Sequence, residues 1–434
     1  MVDGTIGRRK CGLRRRGRGR SWNLRGGPPP PSLMLTPAEA LRLVLAQTAP
    51  APREDCPLAA AAGRVLRMEI RADRDLPPFD RVTLDGYALR SSALAAGLRR
   101  FNVARVQAAG MVPFPLGPAP DAAIEVMTGA VLPEDADCVV PYEQTKRSGA
   151  VVEITPEAAA TPAGGAVHRR GSDHRTGDLL LAPGLRLGGK EIAIAASCGH
   201  PWLTVSRQPR VAILATGDEL VDVASAAAPH QVRRSNDYAL AAALGLRGYP
   251  RVERHHVRDL RSEVEHRLWH LLAEYDVLVV VGGVSQGRFD FVPAELDRQG
   301  VRKVFQGVAQ RPGKPFWFGV SPRGVPVFAL PGNPVSAYTC LHRYVLPALD
   351  HAAGLAPAAP RTLRLATGVT FRPPLAWLLP VRVAPGPDGS PAAWPEPANT
   401  SGDLAGLAGT DGFLELPAGE TEFPAGYTAP FFPW

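Results

Sequence analysis

RVAILATGDEL, residues 210–220, is an apolar run that stops at Thr-Gly and turns abruptly acidic. Val211 to Ala215 contain no alternating polar residue, which reads as a strand buried on both faces. Downstream the text alternates between short apolar runs and longer periodic ones. SNDYALAAALGLRGY (235–249), RSEVEHRLWHLLAEY (261–275) and DFVPAELDRQG (290–300) read as helices. PRVERHHVRD (250–259), DVLVVVGG (276–283), KPFWFGV (314–320) and VPVFALPG (325–332) read as strands, the last followed by a helix from Pro334. Strands alternating with helices imply right-handed crossovers and a mostly parallel sheet, whose ligands sit at the carboxyl ends of the strands.

Outward from this region the text changes. LTPAEALRLVLAQ (35–47) carries Thr36, Pro37 and Glu39 in the order of a capping box with proline in the first turn. Residues 65–146 are short runs broken by Gly and Pro, which read as β structure, and 155–166 reads as a loop. DLLLAPGLRLGGKEIAIAASCGH (178–200) suggests a strand followed by a short buried helix. From Pro360 the chain returns to broken strands, a small β domain.

The 434 residues suffice for roughly two to four domains. The net charge of +8 lies entirely in residues 1–31, where nine Arg or Lys oppose one acid; the remainder sums to zero. That basic, low-complexity tail, residues 1–33, is expected to be disordered, with Met34 an alternative start, so no nucleic-acid partner is expected of the folded part. No apolar run reaches the ~18 residues of a membrane helix. Five scattered cysteines without a C-x-x-C pair favour a reducing compartment, the cytoplasm.

Four loops carry chemistry. LATGDEL places Thr216, Gly217, Asp218 and Glu219 after the first strand. VVVGGVSQGRFDF frees the backbone at Gly282 and Gly283 around Ser285, with Asp290 opening a helix. FALPGNPVSAY stiffens its turn with Pro331 and Pro334. LPPFDRVTLDGYALR (76–90) sets Asp85 beside Gly86, whose freedom at positive φ suits a turn. Between the second and third loops, AQRPGKPFWFG holds Arg311 and Lys314 on a Pro-Gly turn, a rigid pair of cations suited to an oxyanion. Neither a P-loop nor a G-x-G-x-x-G fingerprint occurs.

Taken in order, PPFDRVTLDGYA, MTGAVLPEDADCVV, ATGDEL, SND, GGVSQGRFD, RPGKP and LPGNPVSA resemble the MoeA-like molybdopterin molybdenumtransferases, related to the C-terminal part of gephyrin. The resemblance covers residues 34–434 and implies a multidomain α/β plus β fold. It comprises a linking domain (34–75 and 166–205), a β-rich domain (76–165), a MogA-like α/β domain (206–355) and a C-terminal β domain (356–434). The implied reaction is magnesium-dependent insertion of molybdate into adenylylated molybdopterin with release of AMP, in a homodimer. The implied partners are the molybdopterin adenylyltransferase and acceptor molybdoenzymes. Carried over by position, the functional residues are Asp85, Thr128, Glu219, Asp290 and Lys314. To these the resemblance adds substrate contacts from Asp173, Thr216, Gly217, Asp218, Gly282, Gly283, Ser285, Arg311, Pro331, Pro334 and Ser401. Glu219 and Asp290 would hold the metal, and Asp85 and Thr128 would reach the cleft from the other subunit. Arg234 departs from the pattern, which commonly has Asp or Asn there; Val82 and Leu84 replace Ser and Met, and Arg311 a Lys.

His266 and His270 have zinc spacing but no third ligand, and read, like His255 and His256, as surface. Adenylyl transfer to molybdopterin is the competing enzymatic reading, and a scaffold without turnover the competing class. Removal of residues 1–33 is expected to leave turnover unchanged, which a comparison of full-length and truncated protein checks.

Overall fold

The computed structural model describes Met1 and residues 34–284, 291–357, 359–386 and 388–434. The tail 2–33 and the positions Ser285 and Asp290 lie outside the described residues. Helix α1 (Pro37–Ala46) starts as its sequence requires: Thr36 Oγ1 accepts from the Glu39 amide at 3.2 Å, and Glu39 Oε2 accepts from the Thr36 amide at 2.8 Å. Its buried face, Ala40 and Val44, packs into the core of the α/β domain rather than with the other residues of the linking segment.

That core surrounds six strands: β1 (Val211–Thr216), β2 (Val252–Val257), β3 (Val277–Val281), β4 (Arg302–Gln306), β5 (Trp317–Val320) and β6 (Pro326–Leu330). Their order is β2-β1-β3-β6-β5-β4; the first four are parallel, β5 runs against them, and β4, antiparallel to β5, runs with them again. β1 and β3 are buried along their whole length, as unbroken aliphatic runs require in a sheet covered on both faces. Helices α2 (Asn236–Leu246), α3 (Arg261–Glu274), α4 (Val292–Arg298) and α5 (Pro334–Cys340) supply the cover. β4 is the strand the sequence reading lacks.

Residues 86–154 form a second six-stranded sheet with its own core of Leu89, Phe101, Val140 and Val152. Gly86 corrects the turn reading. It lies within the strand Gly86–Leu89 without a left-handed φ, and a Cβ there would stand 2.1 Å from the Val140 carbonyl oxygen. Close backbone approach, not conformational freedom, demands the glycine. The linking segments meet where Arg53–Pro57 pairs with Trp202–Ser206 and Ile70–Arg71 with Leu179–Leu181. The adjoining helix Gly189–Ser197 is amphipathic rather than buried; Ala195 alone is fully covered. At the C-terminus five strands close into a ring, Ala376–Pro385 pairing at its two sides with Pro391–Pro395 and Gly412–Leu416. Gln310–Arg311 adds to that ring beside Ala376–Trp377, tying it to the α/β domain. No helix among the described residues is long and apolar enough to cross a membrane. Cys56, Cys138, Cys198 and Cys340 are buried and unpaired.

One ion cluster fastens the linking segment to the α/β domain. Asp350, 8% exposed, accepts from Arg186 Nη2 at 2.5 Å, Arg247 Nη2 at 2.8 Å and the Tyr249 hydroxyl at 2.7 Å. Replacing this carboxylate strands two guanidinium groups and a buried hydroxyl. Partial exposure of the arginines moderates the penalty, so Asp350→Ala should cost about 2–3 kcal/mol, read as a lower denaturation midpoint in urea.

Candidate functional site

Register decides where the loops emerge. Ala215 pairs with Val281, and Val281 with Leu330, so Thr216, Gly282 and Pro331 are the next residues on three adjacent parallel strands. They open on one cavity of about 800 Å³ at the carboxyl edge of the sheet. Gly282 and Gly283 have φ of 93° and 65°, and a Cβ on either would lie 3.0 Å from Thr216 Oγ1. The two glycines thus leave room for that hydroxyl, which is buried in the wall without a hydrogen-bond partner among the described residues. Gly217 has φ 147°, and a Cβ there would stand 2.5 Å from Glu219 Oε2, so the Glu219 carboxylate folds back along this backbone. Glu219 lines the cavity. Gly217 and Asp218 instead serve the loop: the Gly217 carbonyl meets His256 Nε2 at 3.0 Å, and Asp218 Oδ1 accepts from the Asp259 amide at 3.2 Å. His256, read as strand surface, therefore braces the loop after β1.

The third loop lies beside the second, where a Cβ on Gly332 would stand 3.6 Å from the Gly282 Cα. Asn333 caps α5, and its Nδ2 donates to Ser401 Oγ at 2.8 Å, which brings the C-terminal domain to the rim. Asn236 Nδ2 donates to the Gly332 carbonyl at 2.7 Å, linking this loop to the start of α2. Pro331, Pro334 and Ser401 all line the cavity.

The basic loop owes its shape to what lies behind it. Gln310 is fully buried; its Nε2 donates to the Pro312 carbonyl at 3.0 Å, and its Oε1 accepts from the Tyr344 hydroxyl. Gly313, at φ 92°, presses on Cys340 Sγ, where a Cβ would stand 2.5 Å away. Arg311 and Lys314 project from this base onto the cavity, and neither has an ion-pair partner among the described residues. Burial pushes the Cys340 thiol up to about 12, so it stays a neutral packing group.

Asp85, Thr128 and Asp173 do not line this cavity in the single chain. Asp85 Oδ1 accepts from the Thr128 amide at 2.6 Å and hydroxyl at 2.7 Å, and these donors hold its carboxyl below the usual range. Asp173 Oδ1 meets His168 Nε2 at 2.9 Å, and His168 Nδ1 meets Arg81 Nη2 at 3.1 Å. Asp85 and Thr128 are thus exposed on the β-rich domain, and Asp173 is exposed on the linking segment. Asn236, Asp237 and Gln310 are cavity residues not expected from the sequence; the amide and acid opening the α2 run were the only signal for the first two.

Among the described residues no group of three or more His, Cys, Asp or Glu gathers as a metal cage. Magnesium needs less: one or two carboxylates, water and substrate phosphate. The Glu219 carboxylate, which lines the cavity, offers hard oxygen donors that fit that demand.

Residues 35–199 match the MoeA N-terminal region (domains I and II), residues 212–351 a probable molybdopterin-binding domain, and residues 362–434 the MoeA C-terminal region (domain IV). A Synechocystis protein named molybdopterin molybdenumtransferase is 40% identical over 375 residues, spanning 86% of this chain and 93% of its own length. One of the same name from Synechococcus elongatus is 33% identical over 408 residues, spanning 91% and 98%. A crystal structure of a molybdopterin biosynthesis MoeA protein from Pyrococcus horikosii superposes with a TM-score of 0.74 at 29% identity, covering 92% of this chain and 99% of that one. The fold, its three matched regions and these relatives agree: the chain belongs to the MoeA family of molybdopterin molybdenumtransferases.

Proposed function

We propose that this chain inserts molybdate into adenylylated molybdopterin, with cleavage of the phosphoanhydride and release of AMP. The observation that carries the reading is one cavity with two chemically distinct sets of lining groups. Unpaired cations at Arg311 and Lys314 and the Ser401 hydroxyl line it together with the Glu219 carboxylate and the glycines at 282 and 283. The cations suit molybdate. An oxyanion brought beside a phosphate-bearing ligand is repelled unless fixed positive charge meets it, and each charge-assisted hydrogen bond contributes about 1.5–3 kcal/mol. The glycines let a phosphate approach the backbone, as a side chain at Gly282 or Gly283 would not.

Glu219, with Asp290 from outside the described residues, would hold magnesium in that cavity. When bound, the ion lowers the cost of charge on the departing AMP. The protein's own part is positional: Asn333 holds Ser401, and Gln310 and Gly313 hold the basic loop.

Asp85, Thr128 and Asp173 enter this reading from the partner subunit of a homodimer, because within one chain they stand apart from the cavity. The molybdopterin adenylyltransferase would supply the substrate and molybdoenzymes accept the product. The buried free thiols suit a reducing cytoplasm.

Purified protein given adenylylated molybdopterin and magnesium should release AMP faster on addition of molybdate. Arg311→Ala and Lys314→Ala should each raise the molybdate concentration for half-maximal release by about tenfold or more. Binding without molybdate-stimulated AMP release would mean a scaffold, and ATP consumption with free molybdopterin would mean adenylyl transfer. Asp85→Ala should abolish release without lowering the melting temperature. Mixing Asp85→Ala with Lys314→Ala subunits, after reversible dissociation and at a molybdate concentration where Lys314→Ala alone is nearly inactive, should restore about a quarter of wild-type activity if each site draws on two chains. No recovery in verified mixed dimers would count against the shared site.

A further inference from the structure

Arg234 is held in place by its neighbours. Its Nη2 donates to Asp222 Oδ2 at 3.0 Å, and its Nη1 lies 3.8 Å from Asp237 Oδ2. Asp237 is fully buried, and neither of its oxygens accepts a hydrogen bond among the described residues. Arg254 approaches the same oxygen at 3.7 Å. A buried carboxylate without hydrogen bonds persists only beside positive charge, so Asp237 requires these guanidinium groups as much as it orients them.

Arg234 is nevertheless not used up. Among the described residues Nη2 is the one guanidinium nitrogen engaged in a hydrogen bond, and the side chain, 15% exposed, lines the cavity. Donors that water reaches poorly and protein does not satisfy are stabilised by an anionic ligand oxygen. Thr216 Oγ1, buried and unpartnered on the same cavity, is a second such group. The charge balance points the same way. Among the described residues the lining carries four Arg or Lys against three Asp or Glu.

We propose that Arg234 is a direct anion contact, meeting charge on a phosphoanhydride so that such a ligand binds here without a divalent ion. This deepens the reading above and rests on it for the identity of the substrate. The test is calorimetric titration of the full chain with ADP in EDTA. Wild-type protein should bind; Arg234→Ala should bind about ten- to a hundredfold more weakly, and Arg234→Lys should recover part of the loss. Asp222→Asn cuts the tether but keeps the cation, and should change affinity by less than about threefold. The proposal is overturned if wild type does not bind ADP in EDTA, or if Arg234→Ala binds as well as wild type. An equal loss in Asp222→Asn overturns it too, since Arg234 would then act only through the loop. Should Arg234→Ala fail to fold, Arg234→Gln against Arg234→Lys decides the same question. AMP release reads the other hypothesis separately: its absence with ADP binding intact removes the transferase reading and leaves this contact standing.

Discussion

Three parallel strands released at one level govern this molecule. Ala215, Val281 and Leu330 lie side by side, so loops distant in the text must emerge together. The alignment is enforced by burial: every residue of β1 and β3 is covered, and sliding either strand would drag aliphatic side chains out of two packed layers. Glycine at 282 and 283 then leaves room for Thr216 at the shared edge. The site is a consequence of the sheet, and the residues that differ from an ordinary strand end are those that keep side chains out of it.

The basic loop depends on a different device. Arg311 and Lys314 repel each other, and an unconstrained loop would let them swing into water. Gln310, buried with both ends of its amide engaged, and Gly313, pressed on Cys340, remove that freedom. The same segment adds to the C-terminal ring through Ala376–Trp377, so that domain is coupled to the cations as well as to Ser401. The C-terminal domain therefore works as a buttress and as a wall.

Much of the fold was legible because aliphatic runs and capping boxes are local signals. The capping box at Thr36 and the strands at 211–216 and 277–281 stand where their residues require. β4 escaped because Arg302 and Lys303 are exposed on an antiparallel edge strand, which lacks the continuous apolar run of the interior. Gly86 was legible as a necessary glycine but not for its reason, since the Val140 carbonyl that excludes a Cβ comes from a strand about fifty residues away. In the site, Thr216, Glu219, Arg311, Lys314, Pro331, Pro334 and Ser401 converge on one cavity. Asp218 did not join them: its carboxylate caps a neighbouring loop, a choice set by β2 and invisible in GDEL alone. Asp237 was missed because an acid in a first helical turn ordinarily means a solvated cap, and its burial between Arg234 and Arg254 is a tertiary fact.

What remains is the group on the β-rich domain. An exposed carboxylate gains little stability from two hydrogen bonds, and fixing it costs side-chain entropy. Asp85 is fixed all the same, by the amide and hydroxyl of Thr128, and held ionised by them. The strand that carries it admits no residue but glycine at the next position, so its direction is fixed as well. A rigid, charged, solvent-facing acid does nothing for the domain that bears it. The cavity has the complementary deficit: unpaired cations on a stiff loop, also of no benefit to their own domain. Each is an unfinished electrostatic arrangement, and the two are mutually completing in sign. A second copy of the chain would bring the two together without any new element, which is why the proposed function takes the dimer, rather than the single chain, as the unit of chemistry.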